Sequence, residues 1–198
     1  MRGQTKRVVM ALLALGPATV AWKAAADFLT MTPQSRLWVD GNSTVRRFSC
    51  KAAAFDTKVE AMPDAIPAVL AGEKAVRTVT VVVPAAKLEC GNGTMNEHMW
   101  KALKTKEHPT IEFRVAQYDV ARGAEGVRGT LTGTLTLGGV QKTLSIPAQA
   151  RNDQGALRVT GSTAVHMKEF GLKPPTLMMG TMKVDETVTV HFDLVLKS

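Results

Sequence analysis

The chain has 198 residues, of which 45% are hydrophobic and 21% charged, and a formal net charge of +8. That length allows one well-buried domain and leaves little room for two. The first 26 residues hold four basic and no acidic side chains, so only +4 of the charge belongs to the remainder. Because that remainder has no basic run and no basic residues interleaved with aromatics, the composition argues against a nucleic-acid partner.

The first 26 residues have the three parts of an export signal. Arg2, Lys6 and Arg7 precede an apolar stretch at positions 8–15, and small residues follow at positions 24–26. The apolar stretch is too short to cross a bilayer as a helix. Residues 1–26 are therefore predicted to be a signal peptide of a periplasmic or secreted bacterial protein, cleaved after position 21 or 26. An uncleaved N-terminal anchor is the alternative.

Alternating apolar and polar residues predict that most of the chain is β-structure. Residues 27–36 are expected to be an N-terminal arm. Residues 37–50 are expected to form two short strands around a turn at residues 40–42, which are turn formers. Two prolines and a glycine in residues 62–72 predict a loop with at most one helical turn. The β-branched run at residues 75–83 predicts a strand.

The only two cysteines, Cys50 and Cys90, lie in the part of the chain that follows the export signal. An even count in an exported protein favours a disulfide, and a loop of about 40 residues would add about 3–4 kcal/mol to stability. Two separate buried thiols are the alternative.

One short helix is predicted, at residues 95–104. Thr94 stands three residues before Glu97, which is the spacing of a capping box. Apolar residues then recur at helical spacing from Met95. Residues 110–118, which follow, alternate as a strand.

The clearest pattern in the chain is a hairpin at residues 126–150. Apolar residues or glycines alternate with threonines up to Gly138-Gly139, which supply the positive φ of a two-residue turn. Such a turn pairs Leu137 with Val140 and sets the register of the whole hairpin. Glycines on its apolar face, at positions 129 and 133, indicate a tightly bent strand or an interior kept open.

Two further strands are predicted at residues 157–167 and 184–196. In the last strand one face is apolar, and the other, which includes His191 and Asp193, is expected to face solvent. The total is about eight strands and one short helix, an all-β chain. Antiparallel strands with one apolar face must close into a barrel or stack as a sandwich. A barrel of about eight strands can hold a small or elongated apolar ligand.

Four segments, in order and spacing, resemble the YceI-like family of exported, lipocalin-like polyisoprenoid-binding proteins. They are residues 38–45 (WVDGNSTV), residues 96–113 (NEHMWKAL followed by KEHPTIEF), residues 129–147 with the hairpin, and residues 168–172 (KEFGL). The resemblance implies an extended antiparallel β-barrel over residues 37–198, built around a hydrophobic channel. It also implies sequestration or transport of a long isoprenoid-type lipid in the periplasm, with no catalysis.

Candidate channel residues share flexible or flat apolar side chains, which adapt to an irregular ligand. They are Met95, Met99, Trp100, Leu103, Phe113, Val115, Leu131, Leu135, Met178, Met179 and Met182. The alternative for each is that it fills a packed core. The favoured interpretation is a non-enzymatic periplasmic protein that binds a polyisoprenoid or quinone-like lipid and uses no metal or other cofactor.

Two other functions stay open. The first is an exported metal or haem handler, in which Met178, Met179 and Met182 lie near His98 or His166, since Met and His bind copper. The second is a packed structural or interaction barrel with no ligand. Transient contact with a membrane and a homodimer are further hypotheses. Motifs of nucleophilic, zinc-dependent or phosphate-binding enzymes are missing from the sequence.

Overall fold

A computed structural model of the chain describes residues 27–124, 126–177 and 181–198. The predicted signal peptide, residues 1–26, lies outside the described residues, as do Met178 and Met179. The strands are β1 Asp27–Met31, β2 Arg36–Asn42, β3 Arg47–Ala52, β4 Asp56–Ala61, β5 Val76–Pro84, β6 Leu88–Glu89, β7 Thr110–Tyr118, β8 Ala121–Gly123, β9 Gly126–Leu137, β10 Val140–Asp153, β11 Ala156–His166, β12 Thr176–Leu177, β13 Met182–Lys183 and β14 Thr187–Lys197. The helices are α1 Ala65–Leu70 and α2 Gly93–Ala102, with single 3-10 turns at Ala85–Lys87 and Met167–Phe170.

Eight strands form a closed antiparallel barrel in the order β1, β4, β5, β7, β9, β10, β11, β14, and β14 pairs back to β1. At one end β2, β3 and β6 continue the ladder beyond β14. The antiparallel barrel expected from the sequence is confirmed. Closure gives each of the eight strands a hydrogen-bonded neighbour on both sides, which removes the free edges of an open sheet.

The two ends of the barrel carry different helices. The end that holds α1 is here called the α1 end, and it also holds the β10–β11 turn. The opposite end, the α2 end, holds α2, the β2–β3 turn, the β9–β10 turn and the segment between β11 and β14. In the described ranges, no helix combines the length and apolar character needed to cross a bilayer.

The prediction of an N-terminal arm at residues 27–36 is wrong for residues 27–31, which form β1. Asp27 pairs with Ala61 of β4, and Met31 pairs with Leu196 of β14. Leu29, between them, is 3% exposed in the core. This short strand closes the barrel, so its place comes from long-range pairing that its own composition does not reveal.

The turn expected at residues 40–42 is also misplaced, since β2 continues through Asn42. The chain turns at residues 43–46, where the Ser43 hydroxyl accepts hydrogen bonds from the backbone N–H groups of Val45 and Arg46 at 3.3 and 3.1 Å. Pairing across the sheet overrides the turn-forming composition of β2. At the other end of the chain, β14 begins at Thr187 rather than at residue 184.

A second helix, α1, stands where a loop was expected. Pro67 lies in its first turn, where the missing N–H has no intrahelical partner to lose, so the proline is tolerated. Ala65, Ile66 and Val69 are buried in a cluster with Val59 and Leu157 at this end. The helix is therefore held by burial of one apolar face in the barrel.

The hairpin of β9 and β10 has the predicted register. Leu137 pairs with Val140, and Gly138 and Gly139 have φ of +57° and +80°. Gly133 is required by its neighbour on β7, because a Cβ atom there would lie 2.4 Å from the Arg114 carbonyl oxygen and 2.8 Å from the Phe113 ring. The glycine thus lets β7 and β9 approach closely and gives the Phe113 ring its space.

The outer wall holds a buried ion network around Asp193, which was expected to face solvent but is 6% exposed. Arg158 donates two hydrogen bonds to its carboxylate, from Nε at 2.7 Å and Nη2 at 2.6 Å, and Arg36 donates a third at 3.2 Å. These bonds, led by that from Arg158, hold the pKa of Asp193 below its usual range. Nearby, His191 stacks on Trp38 with ring centroids 5.0 Å apart.

Cys50 and Cys90 form a disulfide, as the cysteine count predicted. Cys50 lies in β3, and Cys90 directly follows β6 and precedes α2. The bond therefore ties the approach to α2 to the barrel wall.

We expect replacement of both cysteines by alanine to lower the free energy of unfolding by about 3–4 kcal/mol, because the unfolded chain gains freedom over the open loop. Urea denaturation of wild type and the double variant measures the change. A reductant should destabilise the wild type alone. Equal midpoints for oxidised wild type and variant would contradict the expectation.

Asp193→Asn should lower the free energy of unfolding near neutral pH by about 2 kcal/mol, since it removes a charged hydrogen-bond acceptor from two arginines. Because folding lowers the pKa of Asp193, its charge stabilises the protein above the unfolded pKa of about 4 and loses this effect as pH falls further. The variant should therefore show a shallower loss of stability below about pH 4. Asp56→Asn, at an exposed position, is the matched control. Identical acid unfolding of wild type and Asp193→Asn would refute this role.

Candidate functional site

The barrel encloses one large apolar cavity, with a volume of about 460 Å³. Its wall is made by the inward-facing side chains of the barrel strands, which are mostly Val, Leu and Phe. At mid-height these side chains, such as Val81, Val115 and Leu131, are only partly buried although they point away from solvent. The strands thus enclose more space than their side chains fill.

At the α1 end, α1 packs beneath the cavity. Val69 of α1 reaches its floor, and Ala65, Ile66 and Val69 are 2–7% exposed. Tyr118 lies at this level, and its hydroxyl is satisfied by the backbone of Val76, donating to the carbonyl at 3.0 Å and accepting from the N–H at 2.9 Å. The floor therefore consists of packed apolar groups and a satisfied hydroxyl, and the exposed residues Asp119, Arg128 and Gln149 line the cavity beside it.

At the α2 end the cavity is covered by a helix with no buried residue. The N-cap of α2 is Asn92, whose side chain accepts a hydrogen bond from the Met95 N–H, so the capping box expected at Thr94 is wrong. Trp100 anchors the helix by donating from its indole N–H to the Leu88 carbonyl at 3.0 Å. Hydrogen bonds thus hold α2 over the cavity, whereas α1 is held by three buried side chains.

Most of the predicted channel residues converge on this cavity. Those that line it are Met95, Met99, Leu103, Phe113, Val115, Leu131, Leu135 and Met182. Trp100 is not among the lining residues, because its side chain is turned to the Leu88 carbonyl. Met178 and Met179 lie outside the described residues.

Several lining residues were missed from the sequence. Val79, Val81 and Val83 of β5 alternate with outward positions, and this signal was available in the β-branched run. The disulfide is also part of the wall, since Cys50 and Cys90 both line the cavity and the Cys90 sulfur lies 3.6 Å from the Met99 sulfur. Only the folded chain brings these sulfurs together.

Polar side chains line the cavity at both ends, with Asp119, Arg128 and Gln149 towards the α1 end and a second group at the rim under α2. The group under α2 includes Ser43, Arg46 and His98, and Arg46 Nη2 lies 3.8 Å from the Met95 sulfur. The cavity is therefore apolar over most of its length, with polar groups at both ends and the cationic Arg46 at the rim under α2.

The arrangement proposed for a metal site is only partly assembled. His98 and Met182 both line the cavity, whereas His166 is exposed on the outer wall with its Nδ1 at 2.8 Å from the Thr187 hydroxyl. Within residues 27–124, 126–177 and 181–198, no group of three or more His, Cys, Asp or Glu side chains is arranged to hold a metal ion.

Comparison with known families gives a direct match to this barrel. A family model described as the YceI-like domain matches residues 34–196. The chain belongs to the YceI-like family. The resemblance drawn from the sequence segments is thereby confirmed.

Solved structures share the fold of this YceI-like chain at low sequence identity. BcnA of Burkholderia cenocepacia is 17% identical with a TM-score of 0.64, covering 81% of this chain and 95% of its own. A polyisoprenoid binding domain from Saccharophagus degradans, implicated in plant cell wall breakdown, is 15% identical with a TM-score of 0.59, covering 86% and 97%. A Campylobacter jejuni YceI protein is 14% identical with a TM-score of 0.57, covering 100% and 99%. No curated protein sequence matches the chain.

We expect Trp100→Phe to loosen α2 of this YceI-like barrel, because the helix loses its indole hydrogen bond and contains no fully buried residue. Hydrogen exchange should become faster for amides of residues 95–102, and α1 should be unaffected. Trp38→Phe is the matched control, since Trp38 donates to Asp40 on the outer wall at 3.2 Å. Equal exchange in α2 for all three proteins would show that Trp100 does not hold the helix.

Proposed function

We propose that this chain is a periplasmic binding protein that carries or sequesters a long apolar lipid, of polyisoprenoid or quinone type, inside its barrel. The unfilled cavity of about 460 Å³ carries the proposal. Its size falls in the range of sites that enclose small ligands, about 300–1,000 Å³. Aliphatic and aromatic walls can bury such a ligand but offer little to polarise a bond, so the role is binding without catalysis.

Burial of the lipid chain supplies the affinity in this proposal. Each methylene group removed from water contributes about 0.8 kcal/mol, so ten of them give about 8 kcal/mol before the cost of association. The ligand also gains contacts with wall atoms that face empty space in its absence. Affinity should therefore grow with the length of apolar chain inside the barrel.

The shape of the cavity favours an elongated ligand. Its lining runs from Val69 at the floor to Arg46 and Met182 at the rim, along the whole barrel. The polyisoprenoid binding domain of Saccharophagus degradans shares the fold, which supports an isoprenoid as the ligand class. In this proposal the apolar tail lies among the strands and the polar end lies near α2.

Residues 1–26 and the disulfide support export. A basic start, an apolar stretch and small residues form a signal-like segment, and the disulfide suits an oxidising compartment. N-terminal sequencing of protein recovered from the periplasmic fraction tests this. A new N-terminus after position 21 or 26 supports it, and an intact N-terminus in the cytoplasmic fraction contradicts it.

The decisive variant is Leu144→Trp, which places a large side chain in the cavity at a lining position of β10. We expect wild-type protein to show excess mass in native mass spectrometry that is lost on denaturation and recovered in organic extract. The variant should retain at most about a tenth of this lipid, because each excluded methylene forfeits its burial energy. Thr143→Trp, at the exposed neighbouring position, should retain the wild-type amount.

Two outcomes would defeat the proposal. Wild-type protein from its native host could carry no extractable lipid and fail to bind a long-chain isoprenoid alcohol added in solution. Alternatively, both tryptophan variants could retain lipid equally well while melting like wild type, which would place the lipid outside the cavity.

A further inference from the structure

The net positive charge of the barrel is concentrated at its α2 end. The segments that form this end are residues 43–47, 85–109, 138–142, 167–177 and 181–186, and they hold ten basic and six acidic residues. The other described residues hold eleven basic and ten acidic side chains, which nearly cancel. The surplus is therefore a property of one end of the molecule.

All ten basic side chains of these segments are exposed. They are Arg46, Arg47, Lys87, Lys101, Lys104, Lys106, Lys142, Lys168, Lys173 and Lys183. Among the described residues only Lys168 of this set forms an ion pair, with Glu186. The other nine therefore have no carboxylate within ion-pair distance in the described part of the chain.

Hydrogen bonds hold the segments of this end together as one rim. The Thr44 N–H donates to the Lys183 carbonyl at 3.0 Å, and the Lys183 N–H donates to the Thr44 hydroxyl at 3.2 Å. On the other side, Lys104 Nζ donates to the Gly171 carbonyl at 3.2 Å. Basic residues from distant parts of the sequence are therefore fixed around the same opening.

An exposed apolar residue stands at the tip of this rim. Val45 is 63% exposed in the β2–β3 turn, directly before Arg46 and Arg47. The turn meets the cavity, since Ser43 and Arg46 line it and Arg46 reaches Met95 of α2. An apolar tip with flanking cations is the combination that lets a surface insert into an anionic bilayer while its charges remain at the headgroups.

We propose that the α2 end is a docking surface for an anionic phospholipid bilayer, with the β2–β3 turn as its contact point. The mouth of the cavity then faces the membrane, and α2 is the element through which a lipid passes. The biological role of this docking rests on the proposed lipid-binding function. The docking itself requires only the residues of the rim. This orientation places the rest of the barrel, whose charges nearly cancel, away from the bilayer.

The test is co-sedimentation of the full chain with vesicles that contain roughly equal parts of phosphatidylglycerol and phosphatidylcholine, beside vesicles of phosphatidylcholine alone. Each basic residue near an anionic surface strengthens binding about fivefold, so Arg46→Glu with Arg47→Glu should reduce partitioning by at least about tenfold. The control is Arg77→Glu with Arg122→Glu, an equal charge change among exposed residues of the α1 end, which should bind like wild type. Melting temperatures check that all variants fold.

Val45→Ser separates a bilayer from a soluble polyanion as the partner. The substitution keeps every charge, so it should weaken vesicle binding several-fold and leave binding to soluble polyglutamate unchanged. Equal loss of vesicle binding in both charge-reversal variants would overturn the proposal, as would no preference for anionic vesicles. Vesicle binding that is insensitive to Val45→Ser and matched by polyglutamate would assign the rim to a polyanion.

Failure of docking is distinguishable from failure of the lipid-binding function. Extractable lipid in protein that does not bind vesicles would reject the docking surface alone. Vesicle binding by a protein that contains no lipid and takes up none would reject the lipid-binding function alone.

Discussion

Closure of eight antiparallel strands encloses a volume that the inward side chains do not fill. Backbone pairing fixes the diameter of the barrel, and alternation allows each strand only every second residue for the interior. Most of those residues are valines and leucines, which leave a cavity of about 460 Å³. Wall atoms that face this empty space lack van der Waals contacts on that side. A bound apolar ligand would supply those contacts.

The helices at the two ends of the barrel differ in how they are held. At the α1 end, buried side chains of α1 pack in one core cluster with Leu29 of the first strand and Leu196 of the last. At the α2 end, a helix without buried residues is held by its cap, the Trp100 hydrogen bond and the adjacent disulfide. The more deeply buried helix is thus at one end, and the other end carries most of the surplus positive charge.

The sequence predicts the parts of this structure that local patterns determine. Alternation and the Gly138-Gly139 turn give the hairpin and its register, and the segments shared with the YceI-like family give the barrel. Local patterns give wrong predictions where pairing across the sheet determines the secondary structure. This is the case for the closing strand β1 and for the continuation of β2 through Asn42. They also misassign the burial of Asp193, because Arg36 and Arg158, which cover it, are distant along the chain.

For the cavity, the sequence predicts which types of residue form the wall better than it predicts which groups each residue contacts. Phe113, Leu131 and Leu135, predicted as channel residues for their apolar side chains, line the cavity. Trp100 is predicted with them for its apolar ring, but its indole N–H donates to the Leu88 carbonyl and its side chain does not line the cavity. The basic rim was not recognised, because its ten cations lie in five separate segments that only the barrel brings to one end.

The most direct test of the unfilled interior is an X-ray structure of the protein purified from its native host without removal of lipid. The account predicts continuous elongated electron density along the barrel axis, in contact with Phe113 and Leu144 and reaching the rim near Arg46. A barrel whose inward side chains have moved together and filled the interior, with no density between them, would contradict it.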